Sequence, residues 1–289
     1  MSFLKTKMPG TLAVLLAGLV FLLAACAASD SDSEGDSTSA NVTTTDSDTA
    51  TTTEDKDFWF GWENTFFRMN VVLRDNLGAT SGGKSFKPSA VPPPSDVASY
   101  RLGSGIEVLG WLDGTTIYYY AKGYTDSNKK IPVKCLVGNV APLFFGGCTG
   151  IKSMDLSAID TSNVTCMSEM FYGCSSLEKL DLSGWNMSKV SNMGWMFHGC
   201  STLEELDLSS PNMRSVANTS AMFWDCSKLK TIYISSDRSW TNEVSGDSMF
   251  DGCTQLVGGQ GTAYSSEHID GTYAHIDGGS SNPGYFTEK

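Results

Sequence analysis

The chain has 289 residues and a formal net charge of −12, with 20 lysines and arginines against 32 aspartates and glutamates. Because proteins that bind nucleic acid need basic surface, this acidic balance argues against DNA or RNA as a partner. Much of the negative charge lies in residues 27–57, which hold nine acids and one lysine.

The N-terminus has the pattern of a secretory signal. Two lysines precede an apolar run over residues 12–23, and the run ends in Leu-Ala-Ala-Cys26. This run is too short to be a comfortable membrane span. Its ending resembles the bacterial lipobox, which implies acylation of Cys26; the alternative is an ordinary signal followed by a chance cysteine. We expect a signal peptide over 1–25 and a lipoprotein anchored to a membrane of the bacterial cell envelope. It would be surface-exposed, on the outer membrane if two membranes exist.

Residues 26–57 follow as the lipidated N-terminus and a tether rich in Ser, Thr and Asp. The segment contains Val42 as its only bulky aliphatic residue, so it cannot bury a core. We expect it to be disordered and to lift the rest of the chain off the membrane surface.

Residues 58–140 are rich in aromatic residues and lack the repeat that follows. The spacing over residues 59–73 suits a helix, although Val71-Val72-Leu73 also suits a strand, and the two readings stay open. Asp113-Gly114, placed between two apolar segments, is typical of a two-residue hairpin. We interpret the region as an N-terminal cap for the repeats; the alternative is a separate sugar- or peptide-binding module.

A pattern with a period of about 26 residues begins near residue 141. Each unit begins with the motif Phe-x-x-Cys-x-x-Leu. Two apolar positions on either side of a polar one follow, which is the alternation of a short strand with one face toward the core. An apolar stripe follows, in the second unit Val190, Met193, Met196, Phe197 and Cys200. Its spacing is that of a short helix. Ser162 and Ser188 stand where helix N-caps would, and a glycine precedes most of the cysteines.

These features predict an α/β solenoid, a leucine-rich-repeat-like stack of about four to five coils with one short strand and one short helix per coil. A small β-rich cap would cover its N-terminal end. The repeats would occupy residues 141–257, and residues 258–289 would form a C-terminal cap, because terminal units must cover an exposed core.

The repeat resembles a known bacterial family. The unit Met-Phe-x-Gly-Cys-x-x-Leu-x-x-Leu-Asp-Leu-Ser, with Ser-x-Val-x-x-Met behind it, is similar to the BspA-like, DUF285-type, leucine-rich repeat of surface proteins. The resemblance implies a non-catalytic adhesion platform that binds host matrix proteins, other surface proteins or glycans. Alternatives are a structural envelope component and a carbohydrate-binding module in residues 58–140.

The sequence offers little that points to catalysis. The three histidines have no Cys or Ser placed as a nucleophile, so we expect no enzyme activity and no cofactor. Zinc sites usually use Cys-x-x-Cys pairs, which are absent from the sequence, so we expect no metal. The repeat cysteines should be buried free thiols, because parallel side chains do not suit disulfide geometry. Cys135 and Cys166 could be free or paired.

Two rows of outward side chains are the candidate binding surfaces, since repeat proteins bind partners on such faces. The candidates on the strand side are Lys179, Asp181, Glu205, Asp207 and Tyr233. The candidates on the predicted helical side are Tyr172, His198 and Trp224. The strand side is the leading candidate, and stacked aspartates there could attract a cation or a partner lysine.

Overall fold

The structure is a computed structural model that describes residues 72–102, 108–127, 129–132, 144–237 and 246–289. All of these residues belong to the unit Gly61–Lys289. The predicted signal peptide, Cys26, the tether and residues 58–71 lie outside the described residues, as does Cys135.

The described residues form mainly short β-strands. In chain order these are β1 (Lys84–Pro88), β2 (Ser99–Arg101), β3 (Val108–Asp113), β4 (Thr116–Ala121), β5 (Ile131–Pro132), β6 (Ile151–Asp155), β7 (Ile159–Asp160), β8 (Lys179–Asp181), β9 (Glu205–Leu208), β10 (Thr231–Ile234) and β11 (Phe286–Glu288). Helical structure in this part of the chain is limited to a π-helix, Val72–Asn76, and 3₁₀ turns at Thr125–Ser127, Gly271–Tyr273 and Gly279–Ser281.

The prediction of an α/β solenoid with one helix per coil is therefore wrong. The apolar stripe of the second unit is buried as predicted, but it runs through consecutive turns. Trp195 and Gly199 have φ angles of 61° and 72°, which a right-handed helix does not allow. The N–H groups of Met193 and Phe197 donate to the carbonyls of Asn218 and Met222 in the next repeat, at 2.8 and 2.9 Å. These bonds replace the bonds within a helix.

The turns have the same spacing of apolar residues as a helix. The N–H of Met196 donates to the carbonyl of Met193 at 3.2 Å, and the N–H of Cys200 donates to that of Phe197 at 3.0 Å. A three-residue step thus recurs without any helix. The predicted N-caps are also wrong: the N–H of Ser162 donates to the side chain of Asp160, and the N–H of Ser188 donates to that of Asn186.

The strands form three sheets. The largest has the order β2-β3-β4-β1-β6-β8, the second has β11-β10-β9, and β5 pairs with β7. The repeat strands β6 and β8 are parallel and in register, as are β9 and β10. The hairpin predicted at Asp113-Gly114 is confirmed, because β3 and β4 are antiparallel and Asp113 faces Thr116. The N-terminal strand β1 pairs in parallel with both β4 and β6, which joins that hairpin to the first repeat strand.

A ladder of phenylalanine rings runs through the core. Its members occupy the same position in successive repeats and are all fully buried: Phe145, Phe171, Phe197, Phe223 and Phe250. Neighbouring rings are stacked, with centroids 5.6, 5.5, 5.8 and 5.8 Å apart in chain order. Phe86 of β1 meets the first ring edge-on at 5.3 Å, and Tyr285 meets the last ring edge-on at 5.1 Å. The ladder thus ends on aromatic edges on both sides.

A row of cysteines lies beside the ladder. Cys148, Cys174, Cys200, Cys226 and Cys253 are free and buried, which confirms the prediction for these thiols. Each thiol from Cys174 onward donates to the carbonyl of a phenylalanine in the preceding repeat, at 3.0 to 3.3 Å. The thiols therefore tie repeats together. Cys166, outside this row, is disulfide-bonded.

Candidate functional site

The five strand-side candidates lie together in one groove. We call it the strand-side groove; its volume is about 770 Å³, and it is lined by residues of β1, β6, β8, β9 and β10 and by Lys289. The predicted residues among its lining are Lys179, Asp181, Glu205, Asp207 and Tyr233. Register aligns them within each of two sheets, because Lys179 lies beside Ser153 of β6 and Glu205 lies beside Thr231 of β10.

The aspartates of the groove also have a local structural role. Oδ1 of Asp181 accepts a hydrogen bond from the N–H of Ser183 at 2.9 Å, and Asp207 does the same with Ser209 at 2.9 Å. The hydroxyl of Ser209 donates to the same oxygen of Asp207 at 2.6 Å. Hydrogen bonds from Ser183 lower the pKa of Asp181. These Asx-type turns end the strands, so each carboxylate is held in a fixed position at the groove.

Lys289 closes one side of the groove. Its ammonium group pairs with Asp207 and lies 5.1 Å from the centre of the Tyr233 ring. Burial opposes ionisation of Asp207, but hydrogen bonds from Lys289 and Ser209 outweigh it and lower the pKa of that carboxyl. The same ion pair raises the pKa of Lys289. The groove is thus a mixed surface that carries both acids and lysines.

The floor of the groove contains one unexpectedly exposed apolar residue. Leu180 is only partly buried, whereas Met154, Leu206 and Ile232 at the equivalent positions of their strands are buried. β8 is the last strand of one sheet and β9 is the last strand of another, so the hydrogen-bonded ladder is interrupted beside Leu180. Sequence alternation places Leu180 in the core row and gives no signal of this interruption.

The second predicted row is part of a larger aromatic cluster. Tyr172, His198 and Trp224 occupy the same turn position in successive repeats, and Trp195 packs among them. The ring of His198 stacks on Tyr172 at 4.8 Å and meets Trp224 edge-on at 5.3 Å. Trp195 lies 5.1 Å from His198 and 5.4 Å from Trp224. We call these four residues the aromatic cluster; all four are half-buried.

Sequence reasoning missed Trp195 because it assumed a helix. In the observed turns, Trp195 takes the position of Glu169, Ala221 and Ser248 in the other repeats, and all four have positive φ angles between 54° and 61°. The sequence does contain a signal for Trp195. It lies three residues before His198, and a turn with a three-residue step places two such residues next to each other.

Burial controls the ionisation of the groups around the cluster. It lowers the pKa of His198, against the opposing effect of the nearby Asp225 carboxylate, so the imidazole is neutral at pH 7. It raises the pKa of Glu169, and burial together with Glu169 raises the pKa of Tyr172. Nδ1 of His198 is buried and has no hydrogen-bond partner within the described part of the chain.

The two surfaces are formed by different residues: five strand-side candidates line the groove, and three turn-side candidates belong to the aromatic cluster. Over the described ranges, no group of three His, Cys, Asp or Glu side chains is placed to hold a metal ion. Within the same ranges, no helix has the length and apolar character needed to cross a membrane.

Residues 141–259 match the family described as "Mycoplasma protein of unknown function, DUF285". This match covers the repeats that carry both surfaces and supports the DUF285 family for them. Neither the curated proteins nor the solved structures gave a match to the chain.

Proposed function

We propose that the chain is a cell-surface lipoprotein whose repeats form a non-catalytic platform for binding proteins or glycans, with the strand-side groove as the contact surface. The observation that carries the proposal is the convergence of five outward side chains from three successive repeats in one groove of about 770 Å³. The partners would be host matrix proteins, other surface proteins or glycans.

The chemistry of the groove suits a polar partner of mixed charge. Lys179 and Glu205 are exposed, and Tyr233 supplies a half-buried ring beside them. Leu180 adds apolar area on the floor. Interfaces are typically of this kind, with an apolar, aromatic centre and a polar rim. Strand pairing fixes the backbone positions of these residues before a partner arrives, which lowers the entropic cost of binding.

Two further points of the proposal rest on the sequence. The repeats are of the BspA-like leucine-rich type, on the motif quoted above. The signal and lipobox patterns support the proposed location in the bacterial envelope, with an anchor at Cys26 and exposure at the surface.

A binding screen of the purified full-length protein against matrix proteins and glycans tests the proposal. The decisive variant is Lys179→Ala/Glu205→Ala/Tyr233→Ala, which leaves the strand-ending aspartates in place. We expect it to lose at least about tenfold in affinity for any ligand found, since a few central contacts carry most interface energy. The matched control, Lys122→Ala/Glu267→Ala, changes exposed residues that do not line the groove. Equal losses in both variants, with unchanged melting temperatures, would contradict the groove assignment.

A further inference from the structure

The aromatic cluster is a second surface on which partly exposed side chains converge. Backbone hydrogen bonds between repeats fix its spacing. The N–H of Gly173 donates to the carbonyl of His198 at 2.7 Å, and the N–H of Gly199 donates to that of Trp224 at 2.8 Å. The rings are therefore held in position by the stacking of the repeats, and a partner does not have to order them.

The turns around the cluster carry acids but no lysine or arginine. The described turns run over residues 165–174, 191–200, 217–226 and 246–253, and none of these segments contains a lysine or an arginine. Their acids are Glu169, Asp225, Asp247 and Asp251. The carboxylates of Glu169 and Asp225 have no ion-pair partner among the described residues. This distribution differs from the strand-side groove, where lysines neutralise several of the acids.

One end of this surface is occupied by a cation of the chain itself. Arg74 lies beside Gly147, where Gly146 takes the position that Tyr172, His198 and Trp224 hold in later repeats. The surface available to a partner therefore begins at Tyr172 and continues toward Asp251.

Aromatic faces and uncompensated carboxylates select for one kind of ligand. The negative face of an aromatic ring attracts an ammonium or guanidinium group, most strongly where the cation loses part of its water. A neutral sugar would stack on the rings but gain nothing from the carboxylates. An anionic ligand would be repelled. His198 does not oppose a cation, because its imidazole is neutral at pH 7.

We propose that the aromatic cluster binds a lysine- or arginine-bearing segment of a partner protein. The cations lie over the exposed ring faces and pair with the carboxylates of Glu169 and Asp225. This contact is independent of the strand-side groove and does not require the groove to bind anything.

The test measures fluorescence polarisation of a short labelled peptide of alternating arginine and glycine, added to the full-length protein at physiological ionic strength. Matched lysine and glutamate peptides and a neutral oligosaccharide complete the set of probes. We expect the two basic peptides to bind and the glutamate peptide not to bind. Glu169→Gln/Asp225→Asn should weaken arginine-peptide binding roughly tenfold, and Tyr172→Ser/Trp224→Ser should weaken it by a similar factor.

The matched control removes two charges elsewhere. Asp96→Asn/Glu267→Gln changes exposed acids far in sequence from the cluster, so it measures general attraction of a polycation to an acidic protein. We expect this control variant to lose no more than about twofold in affinity for the arginine peptide. Asp225 has a φ of 59°, which asparagine tolerates, so the first variant should keep its melting temperature. Equal losses in the two charge variants, absence of arginine-peptide binding, or equally tight binding of the oligosaccharide would overturn the proposal.

Discussion

Lys289 forms an ion pair with Asp207, 82 residues earlier in the chain. The N–H of Lys289 also donates to the carbonyl of Ile234 at 3.0 Å, which continues the pairing of β11 with β10. The C-terminal strand thus brings a cation to a groove built by the repeats, and it covers the ring of Tyr233.

Replacing Lys289 with alanine tests this contact. Because the side chain is half exposed, we expect the melting temperature to change by no more than about 2 °C. Binding of an acidic ligand in the groove should weaken, since the local charge becomes more negative, whereas binding of a basic ligand should strengthen. Calorimetry measures the melting temperature, and a titration with each ligand measures the change in affinity. A large drop in melting temperature would mean that Lys289 mainly holds the C-terminal strand in place.

The phenylalanine ladder predicts an expensive core substitution. Phe197→Ala removes a fully buried ring that stacks on Phe171 and Phe223, so we expect a loss of about 3–5 kcal/mol in the free energy of unfolding. Urea denaturation measures it. Val257→Ala, at an exposed position, is the control and should change stability by less than about 0.5 kcal/mol. A loss below about 1 kcal/mol for Phe197→Ala would show that the ladder contributes little.

Asp277 should make stability depend on acid pH. The side chain is 4% exposed and accepts hydrogen bonds from the N–H of Gln260 and from the N–H and hydroxyl of Thr262, at 2.7 to 3.0 Å. Burial disfavours the charged form, but these hydrogen bonds prevail and hold the pKa far below its usual range. A carboxylate with a lowered folded-state pKa stabilises the fold above its unfolded pKa of about 3.9, and this contribution fades as pH falls further.

Asp277→Asn is the matching variant. It should cost roughly 2–3 kcal/mol at pH 7, because asparagine turns an amide group toward backbone donors. The difference from the unmodified protein should shrink as the pH is lowered from about 5 to 2. Thermal melts over that pH range, with Asp96→Asn as an exposed control, measure the effect. A difference that is independent of pH would rule out ionisation of Asp277 as its source.

The cysteine row should be chemically silent in the folded protein. Burial raises the pKa of the Cys226 thiol to about 12, and it raises the pKa of Cys148 to about 12 as well. Because only the thiolate reacts, alkylation at pH 8 should leave these positions unmodified until a denaturant is added. Mass spectrometry of alkylated peptides identifies the sites. Rapid labelling of Cys226 under native conditions would show that the repeats open locally.

From the sequence, the inward and outward positions of the repeats could be predicted better than the backbone conformation of their turns. Alternation around Asp207 correctly placed Leu206 and Leu208 inside, because a strand has a period of two whatever its neighbours do. The turns were read as helices because their three-residue step yields the same apolar stripe. The helix and the observed turns differ in the acceptors of their backbone hydrogen bonds. In the observed turns several of these acceptors lie in the next repeat, and the local sequence carries no sign of this.

The candidate sites show the same limit. Lys179 and Glu205 could be assigned to one face because the repeat period aligns them. Phe86 and Lys289 could not be assigned to the groove, since β1 and β11 reach it through tertiary pairing. Trp195 could have been assigned to the aromatic cluster from the sequence, but only if the turn geometry had been predicted correctly.

The stacked rings make the length of the molecule adjustable in whole units. Phe197 has another phenylalanine ring on each side at nearly the same separation. The ring of an additional unit inserted between Phe197 and Phe223 would therefore stack on a phenylalanine on each side. Phe86 at one end, and Tyr285 and Phe286 at the other, meet the ladder edge-on and are tied to its ends. Duplication or loss of one full repeat would therefore lengthen or shorten both candidate surfaces without changing their pattern, whereas insertion of part of a repeat would break every row at once.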